Sequence, residues 1–593
     1  MVKLLEALIF RTRIIILAAL AVFTLYSGYY ATQLSMDAGF DKQLPKGHEY
    51  IQTFQEYREK LFGSNRVIIV LEANEGTIWN KEFFQEYKDI TDDIFFLPGV
   101  ARHTVTSLWT PNTRYLEITE EGIRADDVIP GTVTSETMNP AALAQIENNV
   151  IRGGFVGRLV AEDFSAAMIT AELLEYNPKT QAKLDYFDLA AKLESEIRNK
   201  YEKEGGNYTV RIIGFAKLIG DIADGAGSVV QFFIIAFILT TLSVYLYSRS
   251  IILTFLPLFA SLTSVVWQFG VLAFLGYGLD PLAILVPFLV FAIGVSHGVQ
   301  QINLITAEIS NGATSEEAAR TSFSGLLIPG SMALLTDLVG FGTLYLIPIQ
   351  MIQELAITAS IGVALKIITN LIMLPILASY FTFDEGFADR VARARETRLK
   401  IMRVLGNIAN PKTAVVTLII STGLFVAAVV ESQDRHVGAL HPGSPELHPD
   451  ARYNLDSTNI AEKFSLGLNL LTVVTETPTE ACIKYEYMRY LNRFTWHMEN
   501  VEGVSLAISL PYAVKNSSAG WNEGNLKWRA LPRNQFALVQ AVGPVPPSTG
   551  LLNQNCSVMS LLIFLDDAKA TTIERAVEEV VAWRAANARE DVK

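Results

Sequence analysis

His297, Asp337 and Lys366 stand inside stretches otherwise apolar enough to sit in hydrocarbon. Ionisable side chains at that depth are costly and rare, and they mark ion or proton pathways. Their types suit a proton relay. An imidazole has an unperturbed pKa of about 6.5 and loads or releases a proton across physiological pH. The blander reading of His297 is a neutral ring held by one hydrogen bond. Gly294 and Gly298 flank it and admit a close neighbouring helix, while Ser296 and, four residues on, Gln301 add polar groups. Asp337 lies between Thr336 and Gly340 in the run Leu334-Leu335-Thr336-Asp337-Leu338-Val339-Gly340-Phe341. Its carboxyl serves as a neutral carrier or as a fixed counter-ion, depending on its partner. Thr358, Gly362, Lys366 and Asn370 recur at four-residue spacing, so they form one polar stripe that should face a bundle. Lys366 is about 15 Å or more from either end of its apolar stretch at 1.5 Å per residue, too far for its stem to snorkel. Asp337 is its candidate counter-ion.

These groups need membrane helices to hold them. Of the 593 residues, 50% are hydrophobic and 18% charged, and the apolar residues come in blocks long enough to cross about 30 Å of hydrocarbon. The pattern predicts spans over Ile14–Tyr30, Ser228–Tyr247, Ile251–Phe274, Pro281–Asn303, Leu326–Pro348, Leu355–Tyr380 and Thr413–Val430. Arg11 and Arg13 precede the first, but no convincing cleavage site follows it, so it reads as an uncleaved helix. Lys3, Arg11 and Arg13, with the run Arg390, Arg393, Arg395, Arg398, Lys400 and Arg403, place the N-terminus and a connector helix at 384–411 in the cytoplasm. Crossings counted from there put 33–225 and 433–593 outside, with the second to sixth spans in 226–383 and the seventh in 412–432. The net charge of −13 argues against a nucleic-acid partner. Cys482 and Cys556 both fall in the second external region, as a disulfide or as two buried thiols; their spacing suggests no metal site. No Walker A sequence or hydrolase elbow occurs. Hence no catalytic residue, metal or cofactor is assigned.

The two external regions read as copies offset by about 400 residues. Phe62-Gly63 leads into the β-branched strand Arg66–Glu72, and Phe464-Ser465-Leu466-Gly467 leads into Leu470–Glu476. Each strand precedes an amphipathic helix, Phe83–Phe96 or Cys482–Met498, then a Gly-Val turn, then a further strand near Val105 or Leu506. Strand and helix recur as Ser165–Leu173 with Leu184–Lys200, and as Ser557–Leu565 with Thr572–Ala585. Strand and helix alternating twice predict a split βαβ, ferredoxin-like unit in each region. After the first unit come the strand Tyr208–Gly214 and five spans. The second stops at Lys593, so five more spans, a second transmembrane bundle, are expected to be missing from the chain; a natural seven-span protein with an external tail is the alternative.

This layout resembles the resistance-nodulation-division (RND) superfamily across essentially the whole chain. The short external regions look most like its MMPL, hopanoid-transporter and Patched-like branch. The resemblance implies a polytopic α-helical membrane protein with α+β periplasmic domains, a secondary active transporter rather than an enzyme, in a bacterial inner membrane. It also implies proton-motive-force-driven export of hydrophobic or lipid-like molecules. In such members the fourth span carries Gly-Val-Asp-Tyr; here Gly294-Val295-Ser296-His297 puts serine at the acid and histidine at the tyrosine. The relay would then use His297, Asp337 and Lys366. Membrane lipids, protons, a periplasmic accessory protein and a second copy of the chain are the candidate partners. A lipid or sterol-like sensor or scaffold that does not pump, and a sodium-coupled transporter, are the rival readings.

Overall fold

The computed structural model describes residues 2–34, 42, 44–61, 65–119, 122–134, 136–174, 176, 184–280, 282–383, 386–433, 435–440, 443–464 and 469–593. The lead-in residues Phe62, Gly63, Ser465, Leu466 and Gly467, and Pro281 at the predicted start of span four, lie outside them. The chain divides into two compact units. One comprises Met1–Ile51 with Ala223–Arg435, the other Gln52–Ile222 with His436–Lys593.

Seven helices among the described residues are long and apolar enough to cross a membrane. They are Arg13–Ala31, Phe215–Ser248, Ile251–Phe274, Ala283–Ser310, Ser315–Leu346, Gln350–Ala378 and Pro411–Ser432. Each overlaps one predicted span. The first extends below residue 14 and above 30 by a single residue, whereas the second begins 13 residues before its predicted start. Spans three and six are the most enclosed, and span seven buries none of its side chains. Trp267 in span three donates to Thr24 in span one, and Phe274 meets Tyr26 and Tyr30, so spans one and three run parallel. At the opposite end Arg13 pairs with Glu316 and lies over the Tyr380 ring, while Arg320 reaches Glu6 and covers Phe10. Span five starts on a capping box, Thr314 with Glu317, which satisfies two of the helix's free N–H groups.

The second unit holds two antiparallel three-stranded sheets. In the first, β1 (Arg66–Ala73) is central, between β4 (Ala166–Glu172) and β5 (Tyr208–Gly214); a separate hairpin joins β2 (Arg114–Thr119) to β3 (Gly122–Asp127). Ile69 of β1 pairs with Ile169 on one side and Ile212 on the other. The expected strand at Val105 shrinks to isolated bridges, Thr106 to Thr170 and Val100 to Leu173, on the free edge of β4. In the second sheet β8 (Val558–Leu565) is central, between β6 (Asn469–Glu476) and β7 (Val504–Ser509). Taking the bridges as a degenerate strand, both sheets share one order, with the second segment beside the third and the third beside the first. On the far edge of β6, where β5 sits on β1, the backbone of Lys593 exchanges two hydrogen bonds of 3.0 Å with Glu476. Cys482 and Cys556 form a disulfide with Cα atoms 5.5 Å apart.

The two α+β segments are not separate cores. The helix Arg452–Lys463 precedes β6 in the chain, yet Ile460 and Phe464 belong to the core built on β1, β4 and β5. Conversely, Tyr57, from the helix before β1, packs with Val558 and Val474 and donates to Glu476. Each copy lends its leading helix to the other. Asp456 is the pin: wholly buried, it accepts from Arg198 at 2.9 Å, Arg452 at 3.0 Å, Arg211 at 3.4 Å and the Ile212 N–H at 3.1 Å. Glu194 on Arg198 at 3.0 Å, Glu202 on Arg452 at 2.7 Å and Glu72, bound by Arg211 and Lys463 at 2.5 Å each, offset the excess positive charge. Removing one partner of a buried ion pair strands the others and costs about 3–5 kcal/mol. Asp456→Ala is therefore expected to lower the melting temperature and speed amide exchange across Arg452–Lys463; an unchanged exchange pattern would refute the pinning role.

Candidate functional site

Span six positions the site. Its stripe of Thr358, Gly362, Lys366 and Asn370 is buried along its whole length, and Lys366 is wholly inaccessible. A lysine so enclosed needs an oxygen within the protein, because burying an unsatisfied polar group costs several kcal/mol. Its Nζ donates to the Ser261 carbonyl of span three at 3.1 Å. Gly294 of span four completes the junction. A methyl group there would collide with Lys366 Nζ and Cε and with Ser261 Oγ, so the close approach of three helices depends on hydrogen at that Cα. One turn on, Asn370 Nδ2 donates to the Gly294 carbonyl at 2.8 Å. Span six passes through a π-turn at Thr369–Met373, directly after this stretch. The wider turn brings both Thr369 and Asn370 inward, each fully buried.

The expected partners lie elsewhere. Among the described residues no hydrogen bond or ion pair joins His297, Asp337 and Lys366. The Asp337–Lys366 pair anticipated from the sequence does not form, and helix periodicity explains why. Span six turns Val363, Ile367 and Leu371 toward Leu334, Leu338 and Phe341 of span five, sealing that interface with hydrocarbon. Lys366, offset about 100° from these residues, points to spans three and four instead. Asp337 is half-buried beside the seam, Thr336 bonds back to the Met332 carbonyl at 2.9 Å, and nothing approaches Gly340. His297 is half-buried, its Nδ1 3.0 Å from the Ile293 carbonyl of its own helix. Ser296 is exposed on the outer face. Gln301 is buried and accepts from Ser322 of span five.

Sequence reasoning passed over span three. Ser261, Ser264 and Gln268 are all wholly buried there, and their spacing of three and four places them on one face of an otherwise apolar helix. That spacing was the available signal. Gln268 Nε2 donates to the Thr358 carbonyl at 2.9 Å, and its amide also lies against Gly362. Asp280, just ahead of span four, is 1% exposed and was also missed. The result is a polar core shared by spans three, four and six, with Lys366 at its centre. Among the described residues it holds no carboxylate partner for the amine. No group of three or more metal-ligating side chains occurs among the described residues.

The model of the MMPL family matches residues 119–408, a stretch that takes in spans two to six and therefore this core. Over that stretch, just under half of its length, the chain is similar to the MMPL family. A Methanocaldococcus jannaschii protein, named as a proposed membrane protein, is 21% identical over 377 residues, covering 61% of this chain and 89% of its own length. MMPL proteins are RND-type transporters of lipid-like substrates and not enzymes. The chain is a polytopic helical membrane protein whose polar core sits inside the segment similar to this family.

Helix contact sets which glycines matter. A Cβ on Gly298 would meet Pro257 Cβ at 2.5 Å and its Cα at 3.1 Å, atoms of a ring and backbone that cannot swing aside, while Gly340 has open space. Overpacking of this kind costs about 1–3 kcal/mol. Gly298→Ala should lower the melting temperature of the detergent-solubilised protein and Gly340→Ala should not; equal melting of the two would refute the packing described.

Proposed function

We propose that the chain exports lipid-like molecules from a bacterial inner membrane, driven by the proton gradient, with Lys366 as the coupling group. The observation that carries this reading is an amine buried in an apolar bundle with a single carbonyl partner and no carboxylate. A buried charge without a counter-ion is costly, so gaining or losing a proton at Lys366 changes which packing of spans three, four and six is favoured. Moving one elementary charge through about 100 mV is worth about 2.3 kcal/mol, enough to bias a two-state equilibrium about fifty-fold. His297 and Asp337, outside this core, would act as secondary proton groups at the margins of spans four and five. The two α+β regions, taken as ferredoxin-like units in the periplasm, would receive the cargo.

Two substitutions test the coupling group. Met matches the lysine stem without an amine, and Arg retains charge but does not release its proton in proteins. In proteoliposomes under an imposed pH gradient, the wild-type protein should move a fluorescent lipid, and both Lys366→Met and Lys366→Arg should reduce movement to background. Full activity of either variant removes Lys366 from the mechanism. Transport that follows a sodium gradient and ignores the pH gradient would make sodium the coupling ion.

A further inference from the structure

Four buried side-chain atoms on one side of Lys366 have no partner among the described residues: Asp280 Oδ2, Gln268 Oε1, Ser264 Oγ and Ser261 Oγ. They fall in order along the bundle. Asp280 stands at the end where spans one and three finish. Its Oδ1 accepts from the N–H groups of Leu282 and Ala283 at 2.8 and 2.9 Å, capping the turn ahead of span four, which leaves Oδ2 directed into the protein unpaired. At the same end Glu354 begins the stripe of span six, four residues before Thr358. It is bound to Lys42 at 2.8 Å, with both side chains nearly buried at 12% and 15% exposure. From Glu354 to Lys366 the helix advances about 18 Å. Gln268 lies between, one end of its amide on the Thr358 carbonyl and the other free. Ser264 and Ser261 carry the same face of span three down to the carbonyl that holds the lysine.

On the other side of Lys366 the packing is tighter: Asn370 Nδ2 is engaged by the Gly294 carbonyl and Gly298 is pressed between Pro257 and Leu374. Asn370 Oδ1, Thr369 Oγ1 and Gln301 Nε2 are also buried there without a partner among the described residues, so polar atoms open to water lie on both sides of the amine. Buried polar atoms without protein partners are normally satisfied by ordered water, and a file of water between hydroxyl and amide groups passes protons. We propose that the face shared by spans three, four and six is a water path by which protons reach Lys366 from the Asp280 end, with Asp280 as the proton-accepting group at that mouth. This rests on the reading of Lys366 as the coupling group.

The mouth has a defined charge setting. Burial pushes the Asp280 carboxyl above the ordinary carboxylate range, the Ala283 and Leu282 N–H groups oppose this, Glu354 adds to it, and Lys42 opposes it. A carboxyl raised in this way takes up its proton at a higher pH than a free one. Acidification on the Asp280 side thus loads the mouth earlier than an exposed aspartate would be loaded.

Asp280→Asn keeps the oxygen that caps the turn but cannot titrate; Gln268→Leu removes the amide at similar size. In proteoliposomes of the full chain carrying a trapped pH dye, each should slow substrate-linked proton flux about tenfold, and Asp280→Glu should restore it. Asp280→Asn should also abolish the dependence of flux on pH at its own side and leave the dependence at the other. If Lys366→Met stops the flux while Asp280→Asn and Gln268→Leu both run at the wild-type rate, the path is wrong and the coupling reading stands. If Lys366→Met itself carries wild-type flux, both fall. Should Gln268→Leu not fold, the Asn and Glu variants of Asp280 decide the matter.

Discussion

Hydrocarbon offers no hydrogen bonds, so every polar group on a membrane helix must be satisfied by another part of the protein or by water the protein admits. The lysine amine of span six is the severest case in this chain. It is satisfied because Gly294 lets spans three, four and six approach until the Ser261 carbonyl lies 3.1 Å from Nζ. The other features of the bundle follow from that approach. Gly362 admits the Gln268 amide, Gly298 meets Pro257, and the π-turn after Ile368 lets two successive polar residues face the same junction. Small residues here set distance, and distance determines which polar groups can meet.

The α+β unit meets a different constraint by a related device. Three-stranded sheets have one face to cover and little chain to cover it with. Each copy of the repeat closes the other with the helix that precedes its own first strand. Ile460 stands 403 residues after Tyr57, and the two play matching roles in opposite cores. Asp456 makes this exchange specific, because a carboxylate surrounded by three guanidinium groups can only be buried where all three converge. The disulfide from Cys482 to Cys556 lies within the second core alone.

Much was legible from pattern. Seven apolar blocks became seven spans, because spanning length and composition are local properties of a stretch of chain. The four-residue stripe in span six survived intact, since periodicity alone decides which residues share a helix face. The strand β1 and its copy β6 were readable from β-branched runs, while the strand expected near Val105 was not kept: its pairing amounts to two bridges. Where sequence reading failed, it failed on partners. Asp337 and Lys366 have opposite charge and similar depth, yet an apolar seam of Leu334 and Val363 separates the faces that carry them.

Sequence by itself determined that the described residues hold seven helices long and apolar enough to cross a membrane, that an α+β unit repeats, and that an amine lies within one apolar helix, because each of these depends on composition and spacing along one segment. Only the tertiary structure decided what the amine faces and which copy each leading helix belongs to. Both depend on the rotation and approach of helices distant in sequence. Ser261 beside Gly294, and Gln268 beside Gly362 and the Thr358 carbonyl, show the difference: their spacing in span three was visible, but their purpose needed the neighbouring helices.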